Sequence, residues 1–339
     1  MKVESERAAA TAEPVTPRRK RAWYGEALRK SGLLVFLVLV IVVFSILKPN
    51  SFLTRANLIT LLTTEAIPLT LAMAIAITLR LRDLDVSFAA VMIASASVGA
   101  KLMTMNHGGL AEGIVAAIVV GLAFGALNGT MVAFIGLPSF VATLGTLGIA
   151  EGVSLGVTNS QIVGNVPAAL TVLQGGPGGI PWGVYIVWGI FLVIWLIFDF
   201  TTFGRLLLFI GGNRNAAVLI GLRVRMVRFV AYLATGGLFG AAGVILIGML
   251  GVVDPTSDAG YLLGPLAAVF LGTTVFQLGR FNAWGIIVAL YTLAVISMGL
   301  QILGASSWVG DVFQGAALII AIAISHVLSR GAAAADFSL

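Results

Sequence analysis

Apolar runs of about twenty residues recur along nearly the whole chain, and each is long enough to cross the ~30 Å hydrocarbon core of a bilayer as a helix. Ten are readable, at approximately 31–47, 57–79, 86–105, 111–135, 139–158, 183–199, 227–252, 262–277, 283–303 and 308–328. They are continuous, so a β-barrel, which needs polar alternation on every strand, does not fit. A helix satisfies its own backbone in lipid, and every run is expected to be helical. Of the 339 residues, 59% are hydrophobic and only 10% charged, more apolar surface than a soluble core can hide. That excludes a soluble enzyme, a nucleic-acid-binding module and a disordered protein. The expected fold class is an all-α polytopic membrane protein with about ten transmembrane helices.

The net charge is +6. In a soluble chain this would point to nucleic acid; here it reads as a topology signal, and no nucleic-acid partner is expected. With the N-terminus inside, 17 of the 20 Lys and Arg residues fall on the inner side, and only Lys48, Arg55 and Lys101 fall outside. Ten spans with N-terminus and C-terminus both cytoplasmic satisfy this bias. Residues 1–30 form a basic tail, expected to be mobile, and 31–330 form the transmembrane domain. The first run is too long for a signal h-region and lacks an A-x-A-like site after it, so it reads as a retained anchor.

Much chemistry is missing. There is no cysteine, and the two histidines, His107 and His326, are far apart. No H-E-x-x-H, G-x-S-x-G or Walker A sequence occurs; Gly125–Thr130 (GALNGT) lacks the lysine. The chain is therefore expected to hold no metal and no cofactor, and not to hydrolyse nucleotides. Two acids lie within apolar runs, Glu65 and Glu151. Each either faces a cavity or is structural: Glu65 near the outer interface, Glu151 hydrogen-bonded within the bundle. A relay through both would define an ion-coupled secondary transporter.

Glycines recur every fourth residue at Gly121, Gly125 and Gly129, at Gly148, Gly152 and Gly156, and at Gly236 and Gly240. Such rows let helices approach closely, either as fixed packing or as sliding surfaces. The basic loop at about 200–228 holds a Gly211-Gly212-Asn213 turn, a helix-compatible stretch from Arg214 to Leu219, and then Gly221. Asn213 is a plausible N-cap and Gly221 a plausible C-terminal glycine. The loop would present a short helix to a partner, or its cations to anionic lipid.

Several segments resemble the permease of monosaccharide ABC importers, the ribose/xylose-type branched permease family. Gly125–Thr146 (GALNGTMVAFIGLPSFVATLGT) is similar to that family's G-x-x-N-G-x-x-V-A...P-x-F-I-A-T-L-G-T signature. Gly211–Gly221 (GGNRNAAVLIG) resembles its G-G-N-x-x-A-A-x-x-x-G loop, and Thr256–Gly272 resembles a further segment less specifically. The resemblance implies a ten-helix core like the cobalamin-importer permease, in the bacterial inner membrane. It also implies three kinds of partner: a cytoplasmic ABC ATPase dimer carrying ATP and Mg, a periplasmic or lipid-anchored sugar-binding protein, and a second permease copy. Gly211, Gly212, Asn213, Arg214, Ala216, Ala217 and Gly221 would form the ATPase-coupling loop. Asn128, Pro138, Thr143 and Thr146 would shape the core and substrate path, with Glu65 and Glu151 as further candidates.

Two turns depart from the family. Where it has G-I-D-L-S-V-G, this chain has Asp83–Ala89 (DLDVSFA), keeping Asp85 and Ser87. Where it has L-G-G-T-S-L-S-G-G-R-G, this chain has Leu271–Phe281 (LGTTVFQLGRF), keeping Gly272, Gly279 and Arg280. Lost glycines imply turns of changed shape. They lead to the hypothesis of a partner permease that is a non-identical paralogue. The family arginine before Gly152 is here Glu151.

Overall fold

The computed structural model describes residues 18–104 and 109–335, with side chains over 31–104 and 109–324. His107, the first part of the basic tail and the His326 side chain lie outside the described residues. Among the described residues there are fourteen α-helices. They are α1 (Arg18–Leu47), α2 (Arg55–Thr64), α3 (Ala66–Arg80), α4 (Phe88–Thr104), α5 (Leu110–Gly129), α6 (Ser139–Thr158) and α7 (Ala168–Thr171). After these come α8 (Trp182–Phe200), α9 (Thr202–Gly212), α10 (Arg214–Leu219), α11 (Val224–Leu250), α12 (Leu263–Gly272), α13 (Ala283–Ile302) and α14 (Ser307–Ala335). Seven segments among them are long and apolar enough to cross a membrane, and shorter apolar helices accompany them. The chain is an all-α polytopic membrane protein.

The ten apolar runs fall on α1, the α2–α3 pair, α4, α5, α6, α8, α11, α12, α13 and α14. Helix α1 begins at Arg18, inside the stretch read as tail. The run at 57–79 is broken at Glu65. Pro68 has no N–H to bond the Thr64 carbonyl and its ring crowds that carbonyl, so the helical ladder restarts with Leu69 N–H on the Glu65 carbonyl at 2.9 Å. The run at 262–277 is helical only over Leu263–Gly272, about half a crossing. Its end is set by side chains that compete for the helix carbonyls. The Thr273 and Thr274 hydroxyls donate to the carbonyls of Phe270 and Leu271, each at 2.7 Å. The Asn282 amide then donates to the carbonyls of Gly272 (3.2 Å) and Val275 (3.0 Å). Buried polar partners let irregular backbone persist here.

Helix α3 is the centre of the bundle. Every residue from Leu71 to Ala76 is fully buried. A helix apolar all round belongs inside. Helix α11 packs along α3, α4 and α5. Its contact with α5 is made by glycine: a Cβ on Gly121 would strike the Gly236 carbonyl oxygen, and one on Gly240 would come within 2.7 Å of the Ala117 carbonyl oxygen. The rows read at Gly121–Gly129 and Gly236–Gly240 thus face each other. The α6 row behaves differently. Gly145, Gly148, Gly152 and Gly156 have nothing within 4 Å of an added Cβ, so that face of α6 has no partner among the described residues.

Candidate functional site

Helix α9 buries Gly204, Leu207 and Ile210, three positions one turn apart, against the core. Asn213 then leaves helical geometry at φ −149°, and its side-chain oxygen accepts the Ala216 N–H at 2.9 Å, capping α10. Gly221, at φ +82°, follows the helix. Ala217 is fully buried, whereas Val218, Leu219 and Ile220 are 57%, 86% and 66% exposed. The short helix thus presents an apolar ridge outward. Gly212 has open space around it, but Gly211 backs onto the Arg80–Leu81 backbone, where a Cβ would strike the Arg80 carbonyl oxygen.

That close approach joins two segments far apart in sequence, and a third, 279–281, lies beside them. A cavity of about 560 Å³ lies between them, lined by Arg80, Arg82, Gly211, Asn213, Gly279 and Arg280. Beside it, Asp83 holds two arginines. Arg228 grips the carboxylate twice, Nε to Oδ2 at 2.8 Å and Nη2 to Oδ1 at 2.9 Å, and its Nη1 donates to the Val132 carbonyl at 2.9 Å. Arg214 of α10 donates from Nη2 to the same Oδ1 at 3.2 Å. The side chains of Asp83 and Arg228 are 4% and 10% exposed, and that of Arg214 is 44% exposed. Breaking the buried pair by removing one partner costs about 3–5 kcal/mol. The half-exposed Arg214 contact is worth about 0.2–1 kcal/mol. Val132 belongs to a π-helical turn, Thr130–Ile135, which ends α5 and leads through Gly136 (φ +88°) and Pro138 into α6. Single π-helical turns are rare overall and frequent at functional sites.

The next residues of the same turn carry a second network. Asp85 Oδ1 accepts the Ser87 N–H at 2.9 Å and the Ser87 hydroxyl at 2.7 Å. Ser87 Oγ accepts from Asn128 Nδ2 at 3.0 Å, and Asn128 Oδ1 accepts from the Thr146 hydroxyl at 2.6 Å. The backbone N–H groups of Leu84 and Val86 donate to Ser139 Oγ (3.1 Å) and Thr143 Oγ1 (3.2 Å) on α6. Burial pushes the Asp85 carboxyl up to about 6, with the two Ser87 bonds pulling the other way. Its Oδ2 has no partner among the described residues.

At the two turns that depart from the family pattern, left-handed backbone lies beside the substituted positions. Residues 83, 89, 273, 278 and 281, where the family pattern has glycine, all lack positive φ. The left-handed positions are Arg82 (φ 60°), Phe276 (φ 58°) and the retained Gly279 (φ 72°). Strain of about 1–2 kcal/mol therefore sits on Arg82 and Phe276, beside the substituted positions rather than at them.

At the other end of the bundle, Glu65 and the α2–α3 break line a cavity of about 520 Å³ with Thr64, Ser257, Tyr261 and Gln314. The Glu65 carboxylate makes no hydrogen bond or ion pair among the described residues. Glu151 is half-buried on α6 and interacts with Asp258 of the loop before α12. No hydrogen bond or ion pair joins Glu65 to Glu151 among the described residues. The structure thus unites Asp85, Ser87, Asn128, Thr143 and Thr146, brings Asp83 to Arg214, sets Gly211 and Arg280 on one cavity, and places Glu65 and Glu151 beside the same 257–261 loop with no hydrogen bond between them among the described residues. Sequence reasoning missed Arg228, Ser139, Arg80 and Phe198. Arg228 left only a faint signal, standing where the basic loop at 200–228 meets the apolar run from 227, a depth at which an arginine is either solvated or paired.

These features define a multi-pass membrane protein with an exposed apolar loop fixed to its core, a class that includes transport permeases. The chain belongs to the family described as branched-chain amino acid transport system / permease component, whose pattern matches residues 57–322. It is 29% identical to the ribose import permease protein of Escherichia coli K12 over 323 residues, covering 93% of this chain and 99% of that one. It is 27% identical to the D-allose transport system permease protein of the same organism over 302 residues, 89% of this chain and 93% of the relative. The autoinducer 2 import system permease protein of Salmonella paratyphi B is 31% identical over 208 residues, 60% of this chain and 59% of the relative.

Proposed function

We propose that this chain is the membrane-spanning permease subunit of an ATP-driven importer for a monosaccharide or related polyol, in the bacterial inner membrane. The observation that carries the reading is the exposed ridge Val218–Leu219–Ile220 on a helix tied to the core by Arg214 and Asp83. An apolar ridge at a basic membrane face is suited to a groove on a protein partner, here a cytoplasmic ATPase dimer that supplies ATP and Mg. The Lys and Arg bias supports a cytoplasmic position for that end and for both termini. The cavity lined by Glu65 then opens toward the side from which a sugar-binding protein delivers its cargo. A carboxyl group with no hydrogen bond or ion pair among the described residues, next to Thr, Ser, Tyr and Gln side chains, suits the hydroxyl groups of a polyol. The open glycine face of α6 is where a second permease copy would lie, identical or paralogous. Ion coupling through Glu65 and Glu151 gains no support from two acids that share no bond.

Replacing residues 212–217 with a Gly/Ser linker is expected to abolish co-purification of the ATPase while leaving membrane insertion intact. Retained ATPase binding would remove the loop from this role. Solute uptake against a gradient by the chain alone in proteoliposomes would contradict the whole reading.

A further inference from the structure

The turn at 81–87 lies between two things that an importer must connect. On one side it touches the α9–α10 loop, through the Gly211 contact and through Arg214 on Asp83. On the other it holds α6 by two routes. One is direct, from the Leu84 and Val86 N–H groups to Ser139 and Thr143. The other runs from Asp83 to Arg228, then to the Val132 carbonyl in the π-helical turn that leads into α6. Asp83 is the point where these paths divide, and its two arginines are unequal. Arg228 is buried, bidentate and anchored at a third point. Arg214 is half-exposed and holds one oxygen of a carboxylate already neutralised by Arg228. A contact of that kind can open and close without leaving a buried charge unpaired.

We infer that the Arg214–Asp83 pair is the separable joint through which movement of the loop reaches α6, with Asp83 a positioning residue for alternating access. The inference rests on the importer reading above. It requires that the pair have two arrangements and that nucleotide on the ATPase favour one of them, since only differential contacts shift such an equilibrium.

The test uses the absence of native cysteine. A single cysteine at Phe140, half-exposed at the start of α6 and off its glycine face, is labelled with a maleimide in complexes isolated through a tag on the ATPase, without nucleotide and with ATP plus vanadate. In the parent, nucleotide is expected to change the labelling rate by at least about fivefold. Arg214→Gln is expected to reduce that change to less than about twofold, and Arg214→Lys, which keeps the charge, to restore most of it. Asp83→Asn gives the same loss if it folds; if it does not, the Arg214 variants decide. A full nucleotide response in Arg214→Gln overturns the joint. So does failure to isolate Arg214→Gln complexes, because Arg214 would then serve the ATPase contact itself. A parent complex with bound ATPase but no response to nucleotide overturns the importer reading, and this inference with it.

Discussion

Arg80 and Phe198 lie against each other, with the guanidinium carbon 3.5 Å from the centroid of the ring. The same arginine donates from Nε to the Phe281 carbonyl at 2.9 Å and from Nη1 to the Phe198 carbonyl at 3.2 Å. Its side chain is fully buried, and Asp199, at 4.0 Å, is its only ion-pair partner among the described residues. One residue thus closes the ends of α3 and α8 over the turn that follows α12. A planar fork does this; a lysine cannot stack and donate in two directions at once. Arg80→Lys is expected to lower stability by about 1–3 kcal/mol. The check is the unfolding midpoint in mixed SDS micelles. An unchanged midpoint would mean that the carbonyls find other donors.

The glycine contact between α5 and α11 predicts opposite outcomes for one substitution at two sites. Gly236→Ala drives a methyl group into the backbone of α5 and is expected to cost about 3 kcal/mol or more. Gly152→Ala meets open space, gains helix propensity, and is expected to be neutral or to stabilise the protomer by up to about 1 kcal/mol. Thermal unfolding of the two detergent-solubilised variants compares them directly. Equal losses in samples that run as monomers would place a neighbour against α6 within the protomer.

Asn128 gives a hydrogen bond to Ser87 and takes one from Thr146, joining α4, α5 and α6 at one buried point. Asn128→Ala removes both and is expected to cost about 1–3 kcal/mol, because the hydroxyls stay buried. Asn128→Asp keeps the shape but sets a second carboxylate near Asp85, so its loss is expected to grow as pH rises. Parallel melts at two pH values separate the two effects.

The Asp85 carboxyl, raised by burial to about 6, gives stability a definite pH dependence. In the unfolded chain it loses its proton near its ordinary value, below that of the fold. Between the two values the folded state binds more proton, so stability falls as pH rises through roughly 4 to 6 and levels off above. The full effect is at most about 3 kcal/mol. Asp85→Asn keeps the oxygen that accepts from Ser87 and removes the charge, so it is expected to flatten this segment and to exceed the parent in stability at pH 7. The difference between the two profiles is the measurement. A parent curve that rises relative to Asp85→Asn over this window would reverse the assignment.

The crossings were readable because hydrocarbon imposes length and continuity, and those survive in one-dimensional order. The capping of α10 by Asn213 was readable for a similar reason: donor and acceptor are three residues apart. The break at Glu65 was also within reach, since Pro68 announces it. What could not be read were partnerships across the fold. Nothing in the vicinity of Asp83 indicates that its counter-charges come from positions 214 and 228, or that Arg80 will end between Phe198 and Phe281. The glycine rows show the same limit. The row on α6 has the same spacing as the row on α5, yet among the described residues only the α5 row of the two meets another helix. Spacing reveals that a surface is smooth; it does not reveal what will be pressed against it.

The bare side of α6 has a consequence for the life of the chain in the cell. A single copy in the bilayer offers lipid tails a shallow trough floored by peptide groups, which they fill poorly and a matching helix fills well. If the second copy proposed above seats there, copies made in excess of it would keep this poorly filled trough against lipid.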